Sequence, residues 1–261
     1  MKLPILAYHH VLPRDRITAI SNKKYLLEDV VFEQQMNYLS CNGYSSTLFS
    51  DVKEYLFSSR NLSSRSIVIT FDDGAADNFN IAYPVLKKYN LRATFFIVTD
   101  SVGKKNNLTW DQIREMSSGG MEIQSHTHTH HNLYELGETE VKRELQVSKS
   151  ILEEQINRAV DVVALPYGSG DNNLVRTIAL ELGYTFACNS TWGANNLKKD
   201  TFYLNRFTID IDCSLQQYKS FIEIQKTPLI LYKCKKLPIA LAKKILGKAT
   251  YNKFKKILFD L

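Results

Sequence analysis

Six short apolar runs recur along the chain: LPILAYHHV (3–11), SIVITFDDG (66–74), RATFFIVT (92–99), MEIQSH (121–126), DVVALPYG (161–168) and YTFACN (184–189). Their length and their bounding turn residues predict buried strands. Between them lie longer stretches with apolar residues at helical spacing: DVVFEQQMNYLS (29–40), NIAYPVLKKYN (80–90), LTWDQIREMSSGG (108–120), TEVKRELQVSKSILEEQIN (139–157) and NNLVRTIALELG (172–183). In the longest, Val141, Leu145, Ile151, Leu152 and Ile156 mark the apolar face. Thr109 is placed to cap the third of these helices, and Gly119–Gly120 to end it. Strands alternating with helices over most of the chain predict an α/β protein with a parallel sheet under covering helices. The periodicity fits a barrel and an open doubly wound sheet equally.

Composition changes this picture little until the C-terminus. A chain of 261 residues, 44% hydrophobic and 23% charged, is an ordinary globular protein of one large or two small domains. Cys41, Cys188, Cys213 and Cys234 form no CxxC pair, so free thiols in a reducing compartment are expected. The N-terminus lacks the features of a signal peptide, and no run is long enough to span a bilayer. A cytoplasmic protein is the expectation. The net charge of +6 is concentrated in residues 233–261, which hold nine lysines and one acid, Asp260. Leu241, Ile245, Ala249, Phe254, Ile257, Leu258 and Leu261 recur there at helical spacing. The expected organisation is therefore a domain over 1–232 and a basic amphipathic helix over 233–261. Such a helix suits peripheral contact with an anionic membrane at its inner face. No nucleic-acid motif accompanies the lysines, and no nucleic acid is expected as a partner.

The candidate chemistry lies in two histidine clusters, since all six histidines are His9, His10, His126, His128, His130 and His131. TFDDG, SHTHTHH and ALPYG all fall at carboxyl ends of predicted strands, where parallel α/β folds gather their chemistry. A carboxylate with two imidazoles makes a common catalytic metal site with positions open for water. Neighbouring residues on a strand point to opposite sides. Asp72 and Asp73 therefore suit different tasks, one binding an ion and the other accepting a proton. Extended backbone would put His126, His128 and His130 on one face, whereas a helical turn would pair His126 with His130. DDG alone is a common turn with glycine at positive φ, and a histidine run alone can be a solvated loop. Their joint placement favours the metal site.

TFDDG, then ATFF (93–96), then LTWDQIREMSSGGMEIQSHTHTHHNL, then PYG (166–168) resemble, in that order, the polysaccharide deacetylases, the metal-dependent carbohydrate esterases of family four. The resemblance implies a distorted (β/α) barrel. It implies Asp72 as general base, Asp73, His126 and His130 as metal ligands, Thr127 as support for the loop, and the Tyr167 backbone N–H as oxyanion donor. Two departures stand out. Ala164 occupies a position where most of the family has arginine, and no histidine follows His131 to serve as general acid. AYHHV resembles the opening of the poly-N-acetylglucosamine deacetylase branch, whose barrel is circularly permuted, which lacks that arginine and whose acid is N-terminal. The resemblance implies His9 as the candidate acid with His10 as its neighbour, and the doubled histidine leaves His10 as the alternative acid.

The resemblance thus implies metal-dependent de-N-acetylation of an N-acetylated sugar or polysaccharide. One divalent ion is expected, Zn²⁺ first, with Co²⁺, Ni²⁺ or Mn²⁺ as alternatives. The basic tail adds the expectation of a lipid-linked substrate. Trp192, Arg206 and His10 are further candidates on the substrate side. The competing readings are a deformylase of a lipid-linked amino sugar and a catalytically silent carbohydrate-binding barrel.

Overall fold

A computed structural model describes residues 1–224 apart from 19, 21, 22, 24, 59, 169–172 and 200. The expected tail helix over 233–261, and the boundary before it, lie outside the described residues. The chain divides into two compact units, Met1–Cys213 and Ser214–Leu261. Of the second unit, the described part is a helix over Leu215–Ile222 capped by the Ser214 side chain, which accepts the Gln217 N–H.

The first unit is built on eight strands: β1 (Ile5–Tyr8), β2 (Ser66–Phe71), β3 (Thr94–Ile97), β4 (Glu122–Ser125), β5 (Val162–Ala164), β6 (Phe186–Cys188), β7 (Tyr203–Leu204) and β8 (Phe207–Thr208). They lie in the order β7-β6-β5-β4-β3-β2-β1-β8, with every neighbouring pair parallel. Ser45–Ser46 adds a ninth strand beside the start of β2. All residues of β1, β2 and β3 are buried. That explains their unbroken apolar runs, because a parallel sheet is covered on both faces.

The choice between barrel and open sheet is made by two residues. β7 and β8 are the two edges of the sheet, yet only Asn205 and Arg206 separate them. One extended run therefore pairs with β6 in its first half and with β1 in its second, which requires the sheet to curl round into a distorted barrel.

The N-terminal run is not the single strand expected from LPILAYHHV. Pro4 lacks an N–H and separates β1 from Lys2–Leu3, which pairs antiparallel with Asn195–Asn196. The chain breaks again at His9 before His10–Leu12, which pairs with Leu26–Glu28.

Besides a short helix over Arg14–Thr18, six helices among the described residues belong to this unit: α1 (Asp29–Cys41), α2 (Phe49–Phe57), α3 (Tyr83–Lys88), α4 (Trp110–Ser118), α5 (Glu138–Ile156) and α6 (Asn173–Glu181). Thr109 caps α4 as expected, its side chain accepting the Gln112 N–H while the Gln112 side chain accepts the Thr109 N–H. Before α3 the chain makes a π-helical turn over Asn78–Ala82 rather than starting a regular helix near residue 80. On α5 the buried stripe is Val141, Glu144, Leu145, Ser148 and Leu152, while Ile151 and Ile156 sit half-buried at its margin. Two polar side chains on an apolar stripe need partners, and both have them.

Candidate active site

Strand register places the site. Tyr8 pairs with Phe71, so His9 and Asp72 are the next residues on adjacent strands, and the Asp72 N–H donates to the Tyr8 carbonyl at 3.0 Å. Ile97 pairs with Ser125, which brings His126 to the same rim.

Asp73 Oδ1 lies 3.2 Å from His126 Nε2 and 3.3 Å from His130 Nε2. The ligand atoms of these three residues all fall within 4.8 Å of one another. Donors about 2.1 Å from a tetrahedral zinc ion are roughly 3.4 Å apart, so the spacing and the donor types both fit a divalent ion with open positions. His126 uses its Nδ1 on the Ala164 carbonyl at 2.8 Å, which turns its Nε2 toward Asp73. Burial pushes the Asp73 carboxyl up, but hydrogen bonds from His126 and His130 outweigh it and hold it far below the usual carboxylate range. Burial likewise lowers His126, and its bond to Asp73 with the charges of Asp72 and Asp73 raises it overall. The structure thus brings together the i, i+4 histidine pair. The other two histidines of the run point elsewhere: His128 Nδ1 meets Thr99 Oγ1 at 2.9 Å, and His131 Nδ1 meets Thr129 Oγ1 at 2.5 Å.

Asp72 has a different principal partner. Arg206, 1% exposed, grips it with both terminal nitrogens, NH1 to Oδ1 at 2.7 Å and NH2 to Oδ2 at 2.8 Å. Arg206 Nε donates to the Asn189 carbonyl at 3.1 Å, which fixes the plane of the fork. Burial raises the Asp72 carboxyl, and the charges of Arg206, His126 and His9 bring it below its ordinary value. It is a carboxylate held ionised. Arg206 therefore reaches the Asp72 carboxylate rather than the groove. It comes from the seam between β7 and β8.

His9 Nε2 lies 3.8 Å from Asp72 Oδ2, and the ring stacks on Tyr25 at 4.4 Å between centroids. Burial depresses its pKa more than Asp72 and Asp73 raise it. His10 turns away to Asp77, Nδ1 to Oδ1 at 2.9 Å. Hydrogen bonding to Asp77 raises the His10 pKa against a smaller effect of burial.

Backbone strain marks the same rim. Nine non-glycine residues among those described have positive φ, and five are Tyr25, Asp73, Thr127, His130 and Tyr167. Outside the site, three of the remaining four are asparagines, which tolerate this region. Among the site residues Asp73 and His130 share that tolerance, but Tyr25, Thr127 and Tyr167 do not, and strain concentrated this way accompanies functional geometry. At Tyr167 the left-handed turn leaves the ring 71% exposed and edge-on to His130 at 5.1 Å. A Cβ added at Gly168 would lie 2.7 Å from the Ser190 backbone nitrogen, so the turn needs glycine there. An open groove beside His130 is lined by Thr129, His131, Asn132, Glu135 and Tyr167. Trp192 is half-buried, edge-on to Phe207 at 6.1 Å.

Sequence reading missed three contributors. Glu144 accepts the N–H groups of His128 and Thr129 and the Thr129 hydroxyl, holding the histidine loop. Thr127 adds its own hydroxyl, which accepts the His130 N–H at 3.2 Å. The signal for Glu144 was present as an acid on the apolar stripe of α5. Tyr25 and Asp77 gave no such signal, because their partners lie across the fold.

The sequence model of the polysaccharide deacetylase family matches residues 59–187. YxkH of Bacillus subtilis (strain 168), which carries the same family name, is 30% identical over 225 residues, spanning 86% of this chain and 77% of that protein. The poly-beta-1,6-N-acetyl-D-glucosamine N-deacetylase of Staphylococcus aureus (strain MRSA252) is 29% identical over 209 residues, spanning 73% of this chain and 70% of that protein. The Streptococcus pyogenes deacetylase PplD, solved in complex with acetate, shares the fold with a TM-score of 0.78 at 29% identity, covering 87% of this chain and 99% of that one. Motifs, rim geometry and relatives over most of the chain lead to one conclusion: this protein belongs to the polysaccharide deacetylase family.

Proposed function

We propose that this protein hydrolyses N-acetyl groups from an amino-sugar glycan and releases acetate. The observation that carries the reading is the division of labour between adjacent aspartates, Asp73 joined to His126 and His130, and Asp72 clamped by Arg206 beside His9. Asp73, His126 and His130 would hold one divalent ion, with Zn²⁺ the best match to two imidazoles and a carboxylate, and Co²⁺, Ni²⁺ or Mn²⁺ compatible. When bound, such an ion polarises the acetyl carbonyl and acidifies water toward a pKa of about 7.

The chain's own residues carry the proton steps. Asp72, kept ionised by Arg206, takes a proton from the attacking water. Tyr167 offers its backbone N–H to the developing oxyanion, a donor worth about 3–4 kcal/mol. The amine leaves poorly unless protonated, and His9 Nε2 gives its proton to that nitrogen. Burial favours this transfer, because the charged imidazole is poorly solvated there. Trp192 supplies an aromatic face on which a sugar ring can stack.

The test is metal content by mass spectrometry together with acetate release from N-acetylglucosamine oligomers. Asp73→Asn should lose both metal and activity. Asp72→Asn should keep about one equivalent of metal and lose turnover by about a hundredfold or more. Equal metal loss in the two variants would overturn the split roles.

The lysines of residues 233–261 support a second part of the reading, a cytoplasmic enzyme resting on the inner leaflet and acting on a lipid-linked glycan. Flotation with vesicles containing phosphatidylserine should carry the full chain and not a full-length variant with the nine tail lysines changed to glutamine. Equal flotation of both would remove the membrane from the proposal.

A further inference from the structure

A catalytic histidine is commonly oriented through its second ring nitrogen, which donates to a carboxylate or carbonyl. His9 does not follow that arrangement: among the described residues its buried Nδ1 has no hydrogen-bond partner. Its ring is held by the Tyr25 stack and by the longer Nε2 contact with Asp72 at 3.8 Å, so its position depends on how firmly the backbone of residues 9–11 is fixed.

That backbone is gripped by two consecutive side chains. Asn78 Nδ2 donates to the His9 carbonyl at 2.8 Å. Asp77 accepts the Val11 N–H on Oδ2 at 2.8 Å, and its Oδ1 lies 2.9 Å from His10 Nδ1. Asn78 is fully buried and opens the π-helical turn Asn78–Ala82. Such turns insert an extra residue into a helix and recur at functional sites. The segment that carries Asp72 and Asp73 thus also carries the grip on the strand that bears His9. Base, metal ligand and tether lie within seven residues of chain, while the acid they serve is more than sixty residues away.

We propose that Asp77 and Asn78 are positioning residues that set His9 against Asp72 through the backbone of residues 9–11, in place of a partner on the imidazole ring. The inference rests on His9 being the proton donor to the leaving nitrogen. His10 then has a task of its own, as the side chain through which Asp77 holds the strand. A doubled histidine is explained by one residue that faces the reaction and one that faces the tether.

A substrate pair separates positioning of the acid from general damage. An N-acetylated glucosamine oligomer needs its leaving amine protonated, whereas an aryl acetate expels a stable phenolate without help. With the full-length metal-loaded enzyme, Asn78→Asp and Asp77→Ala should lower kcat/KM on the oligomer by about tenfold or more, since small misplacements of a catalytic group are costly. Both should hydrolyse the aryl acetate within about twofold of wild type, with metal stoichiometry unchanged. Asp77→Asn keeps an acceptor for Val11 and should recover most of the oligomer activity. If Asn78→Asp melts early, Asn78→Ser replaces it. Equal losses on both substrates, or no loss on either, would overturn the tether. His9→Ala run in parallel keeps the two ideas apart. If it loses oligomer activity selectively while the Asp77 and Asn78 variants behave as wild type, only the tether fails. If His9→Ala loses nothing on the oligomer, the acid assignment fails first.

Discussion

At the amino-terminal rim of the barrel, Glu122 begins β4 and is enclosed by donors. It accepts the N–H groups of Phe49 and Ser50, at the start of α2, at 3.0 and 2.9 Å, and the Thr94 hydroxyl at 2.7 Å. At the carboxyl-terminal rim, one strand-length away on the same β4, His126 meets Asp73, whose Oδ1 is shared between two imidazoles. Both rims bury acidic groups, but the first satisfies its carboxylate with backbone and hydroxyl donors on regular elements. The second converges several titratable groups on one another and holds two of them, Asp73 and His130, on left-handed backbone. A structural carboxylate is saturated by its surroundings. A site that is to take an ion or a substrate keeps its ligands turned toward a common point, and the fold bears the strain.

Three substitutions sharpen this comparison. Arg206→Met should cost most, about 3–5 kcal/mol, because it leaves the buried Asp72 charge without its partner. Denaturant melts of the metal-loaded protein would measure this, and the loss should extend to activity. A variant as stable as wild type would mean that Asp72 finds other donors. Glu122→Ala should cost about 1–3 kcal/mol by stranding buried donors. Metal stoichiometry and kcat should stay near wild type, since the rim it supports is the opposite one. Activity falling ahead of stability would show that the two rims are coupled.

The smallest effect concerns pH. The His10 pKa is raised by its bond to Asp77, so the folded state binds this proton more tightly than the unfolded chain. The stabilisation is fully present below the unfolded value of about 6.5 and fades as pH rises through the higher folded value. The gap in Tm between wild type and His10→Gln should therefore be wider at pH 5.5 than at pH 8.5. A gap independent of pH would assign the contact no ionic component.

Much of this molecule was legible before its structure. The strand ends at TFDDG and SHTHTHH, the Thr109 cap and the helical stripe of α5 are local patterns, and local patterns survive folding. Other features were out of reach for a stated reason. His9 and His10 are equivalent as letters, and only the register of β1 against β2, with the break after Tyr8, turns one to Asp72 and the other to Asp77. Arg206 lies 134 residues from Asp72, and nothing near it in the chain marks it as buried.

The sequence by itself determined which side chains could do chemistry, and that they sit at strand ends, because spacing and alternation are properties of a few consecutive residues. The tertiary structure alone decided that the sheet curls into a barrel, that two residues at its seam carry the guanidinium to the base, and that the histidine beside that base is held through its backbone. These outcomes depend on which distant edges meet, and no periodicity along the chain encodes that.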